Sequence, residues 1–142
     1  MIVLVISVFY LAVQVKQNTD LARVNTAAGW VNWNTDMGTP IATDRVFAEC
    51  WFAGESNFED LDAIDRRRLI IFEWRALSAW HNYYRFHQEG YLAKQQWREM
   101  CWLFENLGRR QAVRASWKEF KDSFDPGFRC FMEQYLEERS GI

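Results

Sequence analysis

The sequence predicts an all-α chain in which an N-terminal transmembrane helix continues into a small helical bundle of about five further helices. Three observations predict it. Met1 to Val13 carries no charged side chain. Elsewhere apolar residues recur three and four positions apart, the period of a helix with one buried face. Only two prolines occur, Pro40 and Pro126, and each follows a residue suited to cap a helix, Thr39 and Asp125.

The apolar start comes first in the chain and decides most. Met1 to Val15 at 1.5 Å per residue covers roughly 22 Å, against a bilayer core of about 30 Å. It is short for a span. Gln14, Gln17 and Asn18 are uncharged and Lys16 can snorkel, which lets a thinned bilayer accommodate the mismatch. A cleaved signal peptide needs a basic segment before the run and a small-x-small site after it, and neither is present. A buried core helix is the other reading of so short a run. The expectation is an uncleaved anchor over residues 1–18 and one domain over residues 19–142. Lys16 and Arg23, the basic residues nearest the run, place that domain on the cytoplasmic side.

Leu21, Val24, Ala28 and Val31 keep the helical period, so the first helix is expected to reach about Met37. A second helix spans about Pro40 to Ala53 and stops at Gly54. Glu55 to Asp60 reads as a polar loop whose acidic end suits a helix N-terminus. The third helix, about Leu61 to Glu89, ends at Gly90, and apolar residues around most of its circumference make it the centre of the bundle. Trp97, Met100, Cys101, Phe104 and Leu107 form the stripe of a fourth, stopped at Gly108. Val113, Trp117, Phe120 and Phe124 mark a fifth, and Phe128, Phe131, Met132, Tyr135 and Leu136 a sixth.

Composition narrows the function classes. A formal net charge of −2 leaves no dominant basic field, so nucleic acid is not an expected partner. Three widely spaced cysteines, Cys50, Cys101 and Cys130, fit a reducing compartment and give neither a disulfide framework nor a CxxC zinc site. All three fall in apolar stripes, where cysteine is an ordinary core residue. Aromatic residues make up 17% of the chain, eight of them tryptophan. That is more bulky surface than one small domain readily buries, so part of it is expected against lipid or a partner.

The run Tyr10-Leu11-Ala12-Val13-Gln14-Val15-Lys16-Gln17-Asn18 resembles the junction of an uncharacterised family of bacterial proteins with one N-terminal membrane helix and a helical cytosolic domain. Asn82-Tyr83-Tyr84, Gly90, Trp97, Trp117, Phe124 and Phe128 are similar to its later landmarks. Members of that family carry several more residues before the apolar run, whereas Met1 falls inside it here. The resemblance implies a bacterial inner membrane and brings no activity, cofactor or catalytic residue.

Chemistry is sparse. His81 and His87, the only histidines, are six apart, a spacing that does not put both on one helix face, so no metal or other cofactor is expected. Glu73 lies on an apolar arc between Leu69, Ala76 and Trp80, and a buried carboxylate there either does acid–base work or pairs with an Arg or Trp of another helix. The pairing is the favoured reading. No phosphate loop, nucleophile elbow or dinucleotide fingerprint occurs, and no enzyme is expected. Arg110, Arg114, Lys118 and Lys121 share one helical stripe suited either to an anionic surface or to solvent. Trp30, Trp33 and Met37 lie on a different side of the first helix from Leu21, Val24, Ala28 and Val31, and are the expected docking face for another membrane subunit. The expected function is a non-catalytic single-pass accessory or scaffolding subunit in contact with the bilayer and with other membrane proteins. Respiratory and photosynthetic assemblies are the preferred hosts. The alternative is a small enzyme or ligand sensor with a pocket around Glu73 and His81.

Overall fold

The computed structural model describes residues 2–137, and side chains from residue 6 to residue 136. Every regular element among them is helical: α1 (Ile2–Thr43), α2 (Arg45–Ser56), a 3₁₀ turn at Phe58–Asp60, α3 (Ala63–Gln88), α4 (Lys94–Leu107), α5 (Gln111–Phe120), a second 3₁₀ turn at Lys121–Ser123, and α6 (Pro126–Glu137).

At 42 residues α1 is about 63 Å long. It passes Met37 and carries Pro40 inside its last turns, so Pro40 does not open the second helix and Thr39 is not its cap. The proline ring already has a helical φ and removes only one donor. Around it the Thr39 and Thr43 hydroxyls donate to the carbonyls of Thr35 and Thr39 at 2.6 and 2.7 Å. Asp44 takes the capping role, its carboxylate accepting from the Phe47 N–H at 3.1 Å. Gly54 is not a stop either. It lies within α2, where its missing side chain permits close packing: a Cβ there would stand 2.7 Å from Leu69 Cδ1 and 3.2 Å from Ala112 Cβ.

The ends of α3 follow the sequence closely. Asp62 caps its start, accepting from the N–H groups of Ile64 and Asp65 at 2.8 and 2.9 Å. At its end Gly90 has φ 77°, and the N–H groups of Gly90 and Tyr91 return to the carbonyls of His87 and Phe86. This left-handed closure is open to glycine at little cost.

Leu77 and Trp80 on α3 are fully buried against Met100 and Phe104 of α4, Val113 of α5, and Phe128 and Met132 of α6. The Trp80 and Phe104 rings meet edge to face at 5.1 Å. A smaller cluster joins Phe47 and Cys50 of α2 to Phe58, Leu69 and Ala112. Of the other cysteines, Cys101 is half-buried and Cys130 exposed, so the expectation of three core cysteines holds for Cys50 alone.

Among the described residues no helix is long and apolar enough to cross a membrane. The expected span over residues 1–18 reaches a long helix, but its apolar run gives way at Gln14, Lys16, Gln17 and Asn18, and the side chains of residues 1–5 lie outside the described set. Residues 138–142 of the expected domain also lie outside it.

Candidate functional site

Glu73 points into the interior of the bundle, 4% exposed, and meets Arg110, which is 3% exposed. Arg110 Nε donates to Glu73 Oε1 at 3.2 Å, and Nη2 donates to the Trp51 carbonyl at 2.7 Å. The guanidinium also lies 3.7 Å from the centroid of the Trp51 ring. Three elements therefore converge on one cation: α2 supplies Trp51, α3 supplies Glu73, and the turn before α5 supplies Arg110. Burial pushes the Glu73 carboxyl above its ordinary value, while the Arg110 charge and hydrogen bonds from Arg110 and Trp51 act in the other direction.

Beside this pair is a cavity of about 150 Å³ lined by Trp33, Met37, Trp51, Phe72, Glu73 and Leu103, among others. Its walls are mostly apolar. The indole N–H of Trp33 is buried without a hydrogen-bond partner. Glu73 is the one carboxylate there, and Arg110 already engages it.

His81 does not join this site. Its Nε2 hydrogen-bonds to Asp125, its ring packs between Phe124 and Phe128 at 5.4 and 5.0 Å, and it does not line the cavity beside Glu73 that the alternative reading would have the two share. His87 lies flat on Trp97, ring centroids 3.8 Å apart. Among the described residues no group of three or more His, Cys, Asp or Glu side chains is placed to hold a metal ion.

The basic stripe loses its first member. Arg110 is turned inward to Glu73 and offers nothing to a surface, whereas Arg114 and Lys118 are exposed and Lys121 is half-buried. Acidic neighbours interrupt what remains: Glu119 pairs with Arg67, and Asp122 with Arg129. By spacing alone Arg110, four residues before Arg114, has the place of the first member of a solvated stripe. Only the packing of α2 over the same point reveals the inward turn.

The two faces of α1 exchange roles. Trp30, Trp33 and Met37, expected to meet another subunit, pack on this chain's own bundle: Trp30 stacks on Trp33 at 5.1 Å and meets Tyr83 edge-on at 4.9 Å, and Met37 is buried. The reason is that α3 presents Tyr83 and Ala76 to that side, while among the described residues the other side stays exposed. Leu21, Val24 and Val31 are 59, 64 and 62% exposed. Between α1 and α4 an open groove of about 460 Å³ is lined by Trp30, Asn34, Arg98, Trp102 and Leu103. Towards the N-terminus Ile6, Val8, Phe9, Tyr10, Leu11, Val13 and Val15 are all exposed.

Comparison with protein families, curated proteins and solved structures returns no match.

Proposed function

We propose that the chain is a non-catalytic accessory or scaffolding protein of a membrane assembly, held to the bacterial inner membrane by the apolar start of α1 with the bundle on the cytoplasmic side. One observation carries the reading. At 100° per residue, the exposed Ile6, Val8, Phe9, Tyr10, Leu11, Val13 and Val15 spread over about 260° of the helix and leave only a narrow strip to Ser7 and Gln14. A helix built to lie in a protein groove keeps a wide polar side, whereas apolar side chains around most of the circumference call for an apolar solvent. Leaving one such side chain in water rather than burying it costs about 1.5 to 3 kcal/mol.

The junction at Tyr10 to Asn18, with its resemblance to membrane-anchored bacterial proteins, supports the same reading. The roughly 22 Å of apolar helix up to Val15 is matched by local thinning of the bilayer and by the snorkelling of Lys16. A non-catalytic role is supported by Glu73, whose carboxylate is held by Arg110, and by the separation of His81 from it. The test is alkaline carbonate washing of membranes carrying the full chain, together with protease treatment of inside-out vesicles. Retention in the pellet and digestion of the bundle are expected. Release by carbonate would remove the anchor, and protection of the bundle would reverse the orientation.

A further inference from the structure

The uncovered stripe of α1 has the geometry of a seam. Leu21, Val24, Ala28, Val31, Thr35 and Gly38 alternate steps of three and four, the spacing by which two helices interlock side chains as knobs and holes. Taken at 100° per residue, the stripe lies opposite the face of Thr26, Trp30, Trp33 and Met37 that α1 turns to its own bundle. All six residues of the stripe are exposed, and of them Gly38 also borders the cavity beside Glu73.

We propose that this face pairs with the same face of a second copy, forming a parallel two-helix seam with the two bundles on its outer sides. The flanks fit a second copy. Asn18, Asn25 and Asn32 recur at seven-residue intervals along one side, all exposed, and Asp20, Ala27 and Asn34 along the other. In a parallel pair these flanks face each other one step apart, so Asp20 meets Asn25 and Ala27 meets Asn32 of the second copy. No like charges are brought together. Ala28 and Gly38 let the backbones approach, and the Thr35 hydroxyl, already donating to the Val31 carbonyl at 3.1 Å, brings no unsatisfied donor into the seam.

Leu21 to Gly38 spans about 26 Å, fewer heptads than a free coiled coil needs to hold two chains together. Two anchors in one membrane remove most of that deficit, because they confine the helices side by side and raise their effective concentration. The parallel direction thus rests on the anchoring proposed above; the self-complementary spacing does not.

The experiment uses the full chain in membranes, with the accessible Cys101 and Cys130 replaced by Ala and single cysteines introduced as Leu21→Cys, Val31→Cys or Asp36→Cys. Under mild oxidation Leu21→Cys and Val31→Cys are each expected to cross-link to themselves, and Asp36→Cys, which lies off the seam, is not. The exposed pair Val24→Lys/Val31→Lys should lower the detergent-extracted mass from about two chains to one without changing the helical circular dichroism. Absence of cross-links at Leu21→Cys and Val31→Cys, or equal cross-linking at Asp36→Cys, would overturn the seam. Cross-links only between mixed Leu21→Cys and Val31→Cys chains would overturn the parallel arrangement. Recovery of the chain outside the membrane fraction would count against the anchor instead; the pairing is then read from self-cross-linking of Leu21→Cys and Val31→Cys in that soluble fraction, and its absence there would overturn the seam.

Discussion

Arg110 holds Glu73 at 3.2 Å in a part of the bundle from which water is nearly excluded. The two groups come from helices 37 residues apart in sequence, so the pair ties α3 to the start of α5. Taking both charges out of water is expensive, and the pair persists because the Trp51 carbonyl and ring complete the coordination of the cation. Removing one partner is far worse than removing both. Arg110→Met should destabilise the chain by about 3 to 5 kcal/mol, since it strands a buried carboxylate. The double variant Glu73→Leu/Arg110→Met should recover most of that loss. Urea unfolding of the wild type, both single variants and the double variant measures the difference, and a double-variant loss equal to the sum of the two single losses would show that the charges act independently.

Gly54 marks the closest approach of α2 to α3 and α5. Its Cβ position is 2.7 Å from a Leu69 methyl and 3.5 Å from Arg110 Nη2, so Gly54→Ala gains helix propensity but must push the leucine aside. Overpacking of this kind costs about 1 to 3 kcal/mol, more than the propensity gain. The variant should therefore unfold at lower urea. Gly38, with open space around its Cβ, serves as the control: Gly38→Ala should stabilise α1 slightly.

Asp125 caps α6 through the Phe128 N–H at 2.9 Å and accepts from His81. The His81 hydrogen bond, followed by the Phe128 N–H, holds its carboxyl below the ordinary 3.8. With the native value lower, the unfolded chain binds more protons in the interval between the two values, and stability falls as the pH falls. The contribution is fully present above 3.8 and is lost as the pH drops through the depressed native value. Asp125→Ala should flatten this acid limb and cost about 0.5 to 2 kcal/mol at neutral pH, nearer the lower figure because the carboxylate is part exposed. Urea midpoints measured across the acid range decide it; an unchanged acid limb in the variant would assign that limb to other carboxylates.

Sequence periodicity reveals the helices because each buries one face, and the end of α3 is legible because Gly90 acts locally, whereas its start falls at Ala63, capped by Asp62, rather than at Leu61. Pro40 and Gly54 misled for a shared reason. Their usual meaning as boundaries is a local rule, and here the i−4 hydrogen bonds of the threonines and the packing of Leu69 and Ala112 outweigh it. The partner of Glu73 was expected only as some Arg or Trp, because a pair 37 residues apart leaves no periodic trace. The two stripes of α1 were both visible, but their assignment to bundle and solvent depends on which one α3 can reach.

Trp30 and Trp33 provide the sharpest test of that assignment. Both are half-buried, stacked on each other, with Trp30 edge-on to Tyr83. If they belong to the bundle, Trp30→Ala/Trp33→Ala must weaken it. The expected loss per tryptophan is below the about 3 to 5 kcal/mol of a fully buried aromatic, and the two losses should not add, because the rings share a contact. A second reading comes from Tyr83. Burial pushes its phenol up to about 12, and removing Trp30 from its edge opens the hydroxyl to water. The titration should move towards the ordinary value of about 10, as one of the five tyrosines in an alkaline absorbance difference between variant and wild type. A variant that keeps its urea midpoint and its tyrosine titration would return these tryptophans to the surface, and with them the docking face first expected from the sequence.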